Sequence, residues 1–180
     1  MSIRIYLFIL ALMGSLCSRA QTEPLKPFIF YQNSIQISLP AAWGNVKWVA
    51  AGDSNSKYLE QWQLFVPNAD ATLQAYIYPL PAGHNQDHIT LEWADADLEI
   101  LKKEKGFQYI YDDVLLQDGK NISLIQYQIS PAGKPAQYYS RFYINTAHAM
   151  AVFHFSCLPS VQKKWEPIIA AIAQSLKLLP

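Results

Sequence analysis

Cysteine is almost missing from this chain, with Cys17 and Cys157 the only two. If the first twenty residues are a removable leader, Cys157 stands alone and no internal disulfide can hold the fold together. A surplus of either charge is missing as well, since 14 Lys and Arg face 14 Asp and Glu. Without a basic patch or a Lys/Arg-rich amphipathic helix, nothing invites nucleic acid or an anionic membrane surface. No apolar run reaches the roughly 18–20 residues that a spanning helix needs. Four histidines and one retained cysteine are too few and too scattered to assemble a nucleophile or a metal constellation. What the chain does have is aromatic bulk: 11 Tyr, 8 Phe and 5 Trp. Rings bury large areas, so a core without crosslinks is credible.

The N-terminus reads as an export signal. Arg4 supplies a positive start, Ile5 to Leu16 is a short apolar run, and Ser18 and Ala20 are small residues at the −3 and −1 positions of a cleavage site before Gln21. Export followed by cleavage is the expectation. A lipid on Cys17 would want a small residue before it, where Leu16 stands, and an uncleaved anchor would want a longer run. The organisation expected is therefore a signal peptide over residues 1–20 and one domain over 21–180, periplasmic or secreted, with no transmembrane segment after cleavage. Arg4 and Arg19 leave with the signal and no acid does, so the mature net charge becomes about −2.

Tyr31 to Trp43, YQNSIQISLPAAW, starts the fold. Ile35, Ile37 and Leu39 alternate with polar residues, Pro40 ends the ladder, and the turn can drop Trp43 back onto the layer just left. Gln32-Asn33 is a tight turn between Phe28–Tyr31 and Ser34–Leu39. Lys47 to Ala51, Tyr58 to Val66 and Thr72 to Tyr78 read as further strands. In the last of these Leu73, Ala75 and Ile77 mark one face and Tyr76 and Tyr78 the other, which suggests a sheet covered on both sides. A helix is expected over 87–105, with Leu91, Ala94, Leu98 and Leu101 as its apolar stripe, Asp87 as N-cap and Gly106 as its stop. Asp118-Gly119 signals a hairpin between 108–116 and 122–130. Strands follow over 137–145 and 148–157, and a closing helix carries Trp165, Ile169, Ile172, Leu176 and Leu179, with Pro167 near its start. Links this short require antiparallel pairing, so the class is α+β.

Three places carry a family likeness: the opening strand with Pro40-Ala41-Ala42-Trp43, the helix LEWADADLEILKKEKGF running into a strand, and the ending AVFHFS followed by WEPIIAAIAQSLK. With these, the chain resembles the PsbP-like superfamily and, within it, the DcrB-like bacterial exported proteins. The resemblance implies an antiparallel β-sheet sandwiched between helices, an α/β/α sandwich. It implies no catalytic residues, because such families are mostly binding, assembly or chaperone-like modules. Leu16 before Cys17 departs from the lipoproteins among them, and the leader departs from the cytoplasmic chaperones.

Candidate chemistry is thin. His84 and His88 with Asp87 could hold a metal, but Pro81-Ala82-Gly83 makes that stretch a loop, and solvated loop residues are the plainer reading. Cys157 and His154 face apart on a strand, and Cys157 shares its parity with Phe153 and Phe155, as a small buried hydrophobe would. Asp112 and Asp113 also face apart, which suits a solvated edge or bulge. Asn121-Ile122-Ser123 is a glycosylation sequon at a hairpin tip. Arg141, the only arginine after residue 20, lies mid-strand with Tyr139 and Tyr143 at the same parity. Those three are the candidate binding residues. Either the guanidinium stacks on the two tyrosines and serves packing, or it contacts an anion or carboxylate backed by rings.

The function expected is an exported, non-catalytic binding or accessory module of the cell envelope, acting on an unknown protein or small-molecule partner. No catalytic residue, metal or cofactor is expected. The alternative is a small periplasmic hydrolase or metal-binding protein.

Overall fold

A computed structural model describes residues 24–43, 47–48, 60–65, 70–80 and 89–179. The strands are β1 (Leu25–Phe30), β2 (Ile35–Pro40), β3 (Lys47–Trp48), β4 (Glu60–Phe65), β5 (Ala71–Pro79), β6 (Phe107–Gln117), β7 (Lys120–Ile129), β8 (Gln137–Asn145), β9 (Ala149–Cys157) and β10 (Lys177–Leu178). The helices are α1 (Ile89–Leu101) and α2 (Gln162–Gln174), the latter entered through a 3-10 turn at Pro159–Val161.

Seven strands form one sheet in the order β3-β4-β5-β9-β8-β7-β6, and every pairing is antiparallel. The meander β6 to β9 follows chain order because its links are short. α1 carries the chain from β5 across one face to the far edge. The opposite face is covered by α2 and by a separate three-stranded sheet, β1-β2-β10. The sheet is thus sandwiched as expected, but the opening strands lie in the covering layer and do not extend the main sheet.

Local chemistry explains the turns. Asp118 and Gly119 both have positive φ (49° and 75°), the demand of a two-residue primed turn that only Asx and Gly meet cheaply. Gly106 has φ +82° and lies so close to Ser130 that an added Cβ would sit 2.2 Å from its carbonyl oxygen. The first hairpin is looser than the two-residue turn expected: Tyr31, Gln32 and Asn33 all have positive φ, and the Ser34 N–H donates to the Tyr31 carbonyl at 2.9 Å.

Alternation fills both cores. Leu73, Ala75, Ile77, Tyr138, Phe142, Phe153, Phe155 and Cys157 point to the α2 side, where Ile35, Ile37, Trp43, Trp165, Ile169 and Ile172 meet them. Trp43 is buried and packs edge-on against Trp165, with ring centres 5.7 Å apart. Pro167 lies inside α2, exposed, in a helix that runs on past it. On the other face Ile125, Tyr127, Tyr143, Met150 and Val152 meet Ile89, Ala94 and Leu101 of α1.

α1 ends earlier than expected, and its buried face keeps Ala94 and Leu101 of the expected stripe but not Leu91. It ends at Leu101, so Lys102, Lys103 and Lys105 fall in the turn that follows. Leu91 is exposed, and the buried positions are Ile89, Thr90, Ala94 and Leu101. Asp87, His84 and His88 lie outside the described residues.

Candidate functional site: a cleft beside the crossing helix

Helical spacing sets up the site. Positions 90, 94 and 101 of α1 face the sheet, and 97 falls on the same stripe. Asp97 therefore reaches down toward β8. Its Oδ2 accepts hydrogen bonds from Arg141 Nη1 at 2.8 Å and from the Tyr143 hydroxyl at 2.7 Å. The carboxylate at the centre of the cluster belongs to this chain.

This corrects the stacking expected of Arg141. Its guanidinium lies over the ring of Tyr127, 5.5 Å from the centroid, and not over Tyr139 or Tyr143. Ile125 is directly opposite Arg141 on the ladder, and Tyr127 is its diagonal neighbour, within reach of a long side chain. Tyr139 instead stacks on Tyr127 (5.0 Å between centroids) and leans on His154 (5.2 Å). With Phe107 against Tyr127 (5.8 Å), four rings cross β6, β7, β8 and β9 in a row. Arg141, Tyr139 and Tyr143 do lie together on one face, each bonded or stacked to a partner on another element.

α1 sits over β7 and β8 and leaves the β9–β5 side open. A cleft of about 400 Å3 opens there, with Tyr76, Tyr78, Arg141, Val152 and His154 as its sheet side, Asp97 and Ile100 along the helix, and Glu104 in the turn after it. Ile100 is exposed at the mouth. Trp93 braces Tyr78 edge-on at 5.3 Å.

Burial shapes the titrating groups. Desolvation, with the Arg141 charge second, pushes His154 from the ordinary 6.5 down to about 3, so the imidazole is neutral at ordinary pH. Its Nε2 and the Nε of Arg141 are buried without hydrogen-bond partners. Burial also holds the Tyr143 phenol well above its ordinary range. Cys157 lies on the opposite face and burial lifts its thiol to about 11, so it is no nucleophile for the cleft. Among the described residues no group of three His, Cys, Asp or Glu side chains could hold a metal ion. The arrangement can bind a polar or amphipathic group by ion pairing and ring contact.

No family model and no curated protein matches the chain. Solved structures do. The solution structure of cyanobacterial PsbP (CyanoP) from Synechocystis sp. PCC 6803 superposes with a TM-score of 0.61 over 91% of this chain and 97% of that one, at 11% identity. The fold is PsbP-like. LpqN of Mycobacterium tuberculosis, described as involved in cell envelope biogenesis, matches this PsbP-like chain with a TM-score of 0.58 at 13% identity, covering 87% of it and 91% of LpqN. PA94 from Pseudomonas aeruginosa, a protein of unknown function, matches with 0.52 at 17% identity, covering 87% and 98%. At such identities the likeness is one of fold. Among the described residues of the PsbP-like chain, no helix is long and apolar enough to cross a membrane.

Of the three residues singled out from sequence, Arg141 lines the cleft and Tyr139 and Tyr143 lie outside its lining, while Asp97, Ile100 and the cleft roles of His154, Tyr76 and Tyr78 were not read. The signal was present for Asp97: reading the stripe from Thr90 and Ala94, not from Leu91, turns position 97 toward the sheet.

Proposed function

We propose that this PsbP-like chain is an exported, non-catalytic binding or accessory module of the cell envelope, and that its ligand or a protruding partner side chain enters the cleft beside α1. The observation that carries the reading is the cleft itself. It has a ligand-sized volume, a charged pair in its lining and tyrosine walls, while the one retained thiol is buried on the opposite face. Support for the envelope comes from the leader pattern over residues 1–20 and from the likeness to LpqN, a protein of cell envelope biogenesis.

Two measurements test it. The full chain made with its own leader should yield an envelope product whose intact mass begins at Gln21; retained residues 1–20, or a diacylglyceryl group on Cys17, would contradict cleavage. Protein isolated from its own envelope fraction should carry a bound molecule or partner in native mass spectrometry, and Ile100→Arg, at the exposed mouth, should lose it without changing the melt. Equal retention by the variant would remove the cleft from the reading. Steady hydrolysis of simple esters, abolished by a His154 substitution, would favour the hydrolase alternative.

A further inference from the structure

The main sheet ends at β6, an 11-residue strand with a described neighbour on one side only. Its side chains are unusually bare: Tyr109, Ile110, Tyr111 and Val114 are exposed, and Leu116 is 76% exposed. Long apolar edges invite another strand, and folded proteins normally blunt them.

The hairpin tells which backbone groups are free. A two-residue primed turn at Asp118-Gly119 makes Gln117 and Lys120 a hydrogen-bonded pair. Counting back by two, Leu115 and Asp113 also turn their N–H and C=O toward β7, so Leu116, Val114 and Asp112 turn theirs outward. The side chains agree with this count. The Val114 N–H is accepted by the carboxylate Oδ1 of Asp113 at 2.8 Å, a local stopper on an outward donor.

The acids occupy both sides of this edge. The ladder slips between Tyr109 and Tyr111, so Ile110 is the bulged residue and parity changes there. Asp112 then shares the α1 face with Tyr109, whose hydroxyl bonds to it, and Asp113 shares the other face with Tyr111, whose hydroxyl donates at 2.6 Å. The Tyr111 bond holds the Asp113 carboxyl below its ordinary range.

We infer that the outer edge of β6 is a strand-docking site for an extended segment of a partner protein that carries two adjacent Lys or Arg residues flanked by apolar ones. The arriving strand gives its own carbonyl to Val114 and displaces the Asp113 carboxylate. That carboxylate and Asp112, one on each face, then meet two consecutive basic side chains, because consecutive strand residues also point to opposite faces. Val114 and Leu116 on the α1 face and Tyr111 on the other cover the apolar flanks. A second copy fits poorly: pairing two β6 strands about their centre sets Asp112 and Asp113 against their own kind. The site lies at the sheet edge, away from the cleft on the sheet face, and stands or falls separately from it.

The test uses the full mature chain and a blocked octapeptide, Val-Thr-Val-Lys-Lys-Val-Thr-Val, with a Glu-Glu counterpart. The Lys-Lys peptide should slow amide exchange at Val114 and Leu116; the Glu-Glu peptide should not. Asp112→Asn with Asp113→Asn should weaken binding about tenfold, the scale of two partly exposed ion pairs. Val114→Pro removes the outward N–H that an edge strand can spare for folding, and should abolish the protection. If that variant does not fold, the Asn pair decides alone. Equal protection by both peptides, none by either, or protection that grows with protein concentration alone would each overturn the proposal, the last by making the edge a self-association surface.

Discussion

Cutting the tie between α1 and the sheet gives a prediction whose size the structure sets. The Arg141 side chain is 20% exposed and that of Asp97 35%. Fully exposed pairs contribute about 0–1 kcal/mol, and breaking a fully buried one costs about 3–5 kcal/mol. This pair lies between, and water at Asp97 screens it. Asp97→Asn keeps an acceptor for the Tyr143 hydroxyl but leaves the guanidinium without its counter-charge, so about 1.5–2.5 kcal/mol should be lost. Arg141→Lys retains charge but not the planar contact over Tyr127, and about 1 kcal/mol is expected. Arg141→Ala also strips the methylene cover from the tyrosines and should cost about 2–3 kcal/mol. Urea melts give each loss, and a double-mutant cycle of Asp97→Asn with Arg141→Met should return a coupling of about 1–2 kcal/mol. A coupling below about 0.3 kcal/mol, within the usual error of additivity, would refute the reasoning. Unchanged melts together with loss of a co-purifying molecule would move the pair from holding the helix to recognising a ligand.

Trp43→Ala should cost about 3–5 kcal/mol in urea melts, because the indole is only 8% exposed and faces Trp165; a loss below about 1 kcal/mol would place it outside the core. Cys157 should label slowly in the folded protein and quickly in denaturant, since its thiol is buried and raised to about 11; fast native labelling would contradict its position. His154 predicts an acid-sensitive window. Its native pKa is depressed, so between pH 6.5 and about 3 the unfolded chain binds a proton that the native one refuses, and stability falls as pH falls. The difference between wild type and His154→Gln should carry that slope, at most about 1.4 kcal/mol per pH unit, and parallel pH profiles would contradict it. Gly106→Ala should lose at least about 2 kcal/mol by thermal melt, because φ there is +82° and the new Cβ would meet the Ser130 carbonyl.

The parts of this fold that follow from neighbours in sequence could be read in advance. Asp118-Gly119 and the two-faced alternation of β5 each depend on a few adjacent residues, whereas Gly106, expected to stop α1, lies in the turn into β6, five residues past the helix end. Arg141 shows where such reading ends. Its parity with Tyr139 and Tyr143 was visible, but the side chain is governed by Asp97, 44 residues earlier, and by Tyr127 across the ladder. The bulge at Ile110 and the splitting of the opening strands into a second sheet likewise arise from pairings that no local window contains. For α1 the stripe held at Ala94 and Leu101 and failed at Leu91, where Thr90 is buried instead, and it left unread the carboxylate at 97 that matters most to the cleft.

The two residues of β10 pair with β2 at the other end of the chain, and the Ser175 hydroxyl accepts from the Ser38 N–H across 137 positions. Residues 35–40 and 175–178 are therefore clasped together. During synthesis the opening hairpin has no strand to close its sheet, and no α2 to cover Ile35 and Ile37, until residues 162–178 have been made. Loop closure over such a span must precede the contacts that reward it, which slows folding. A polypeptide of this topology stays open for as long as its tail is missing.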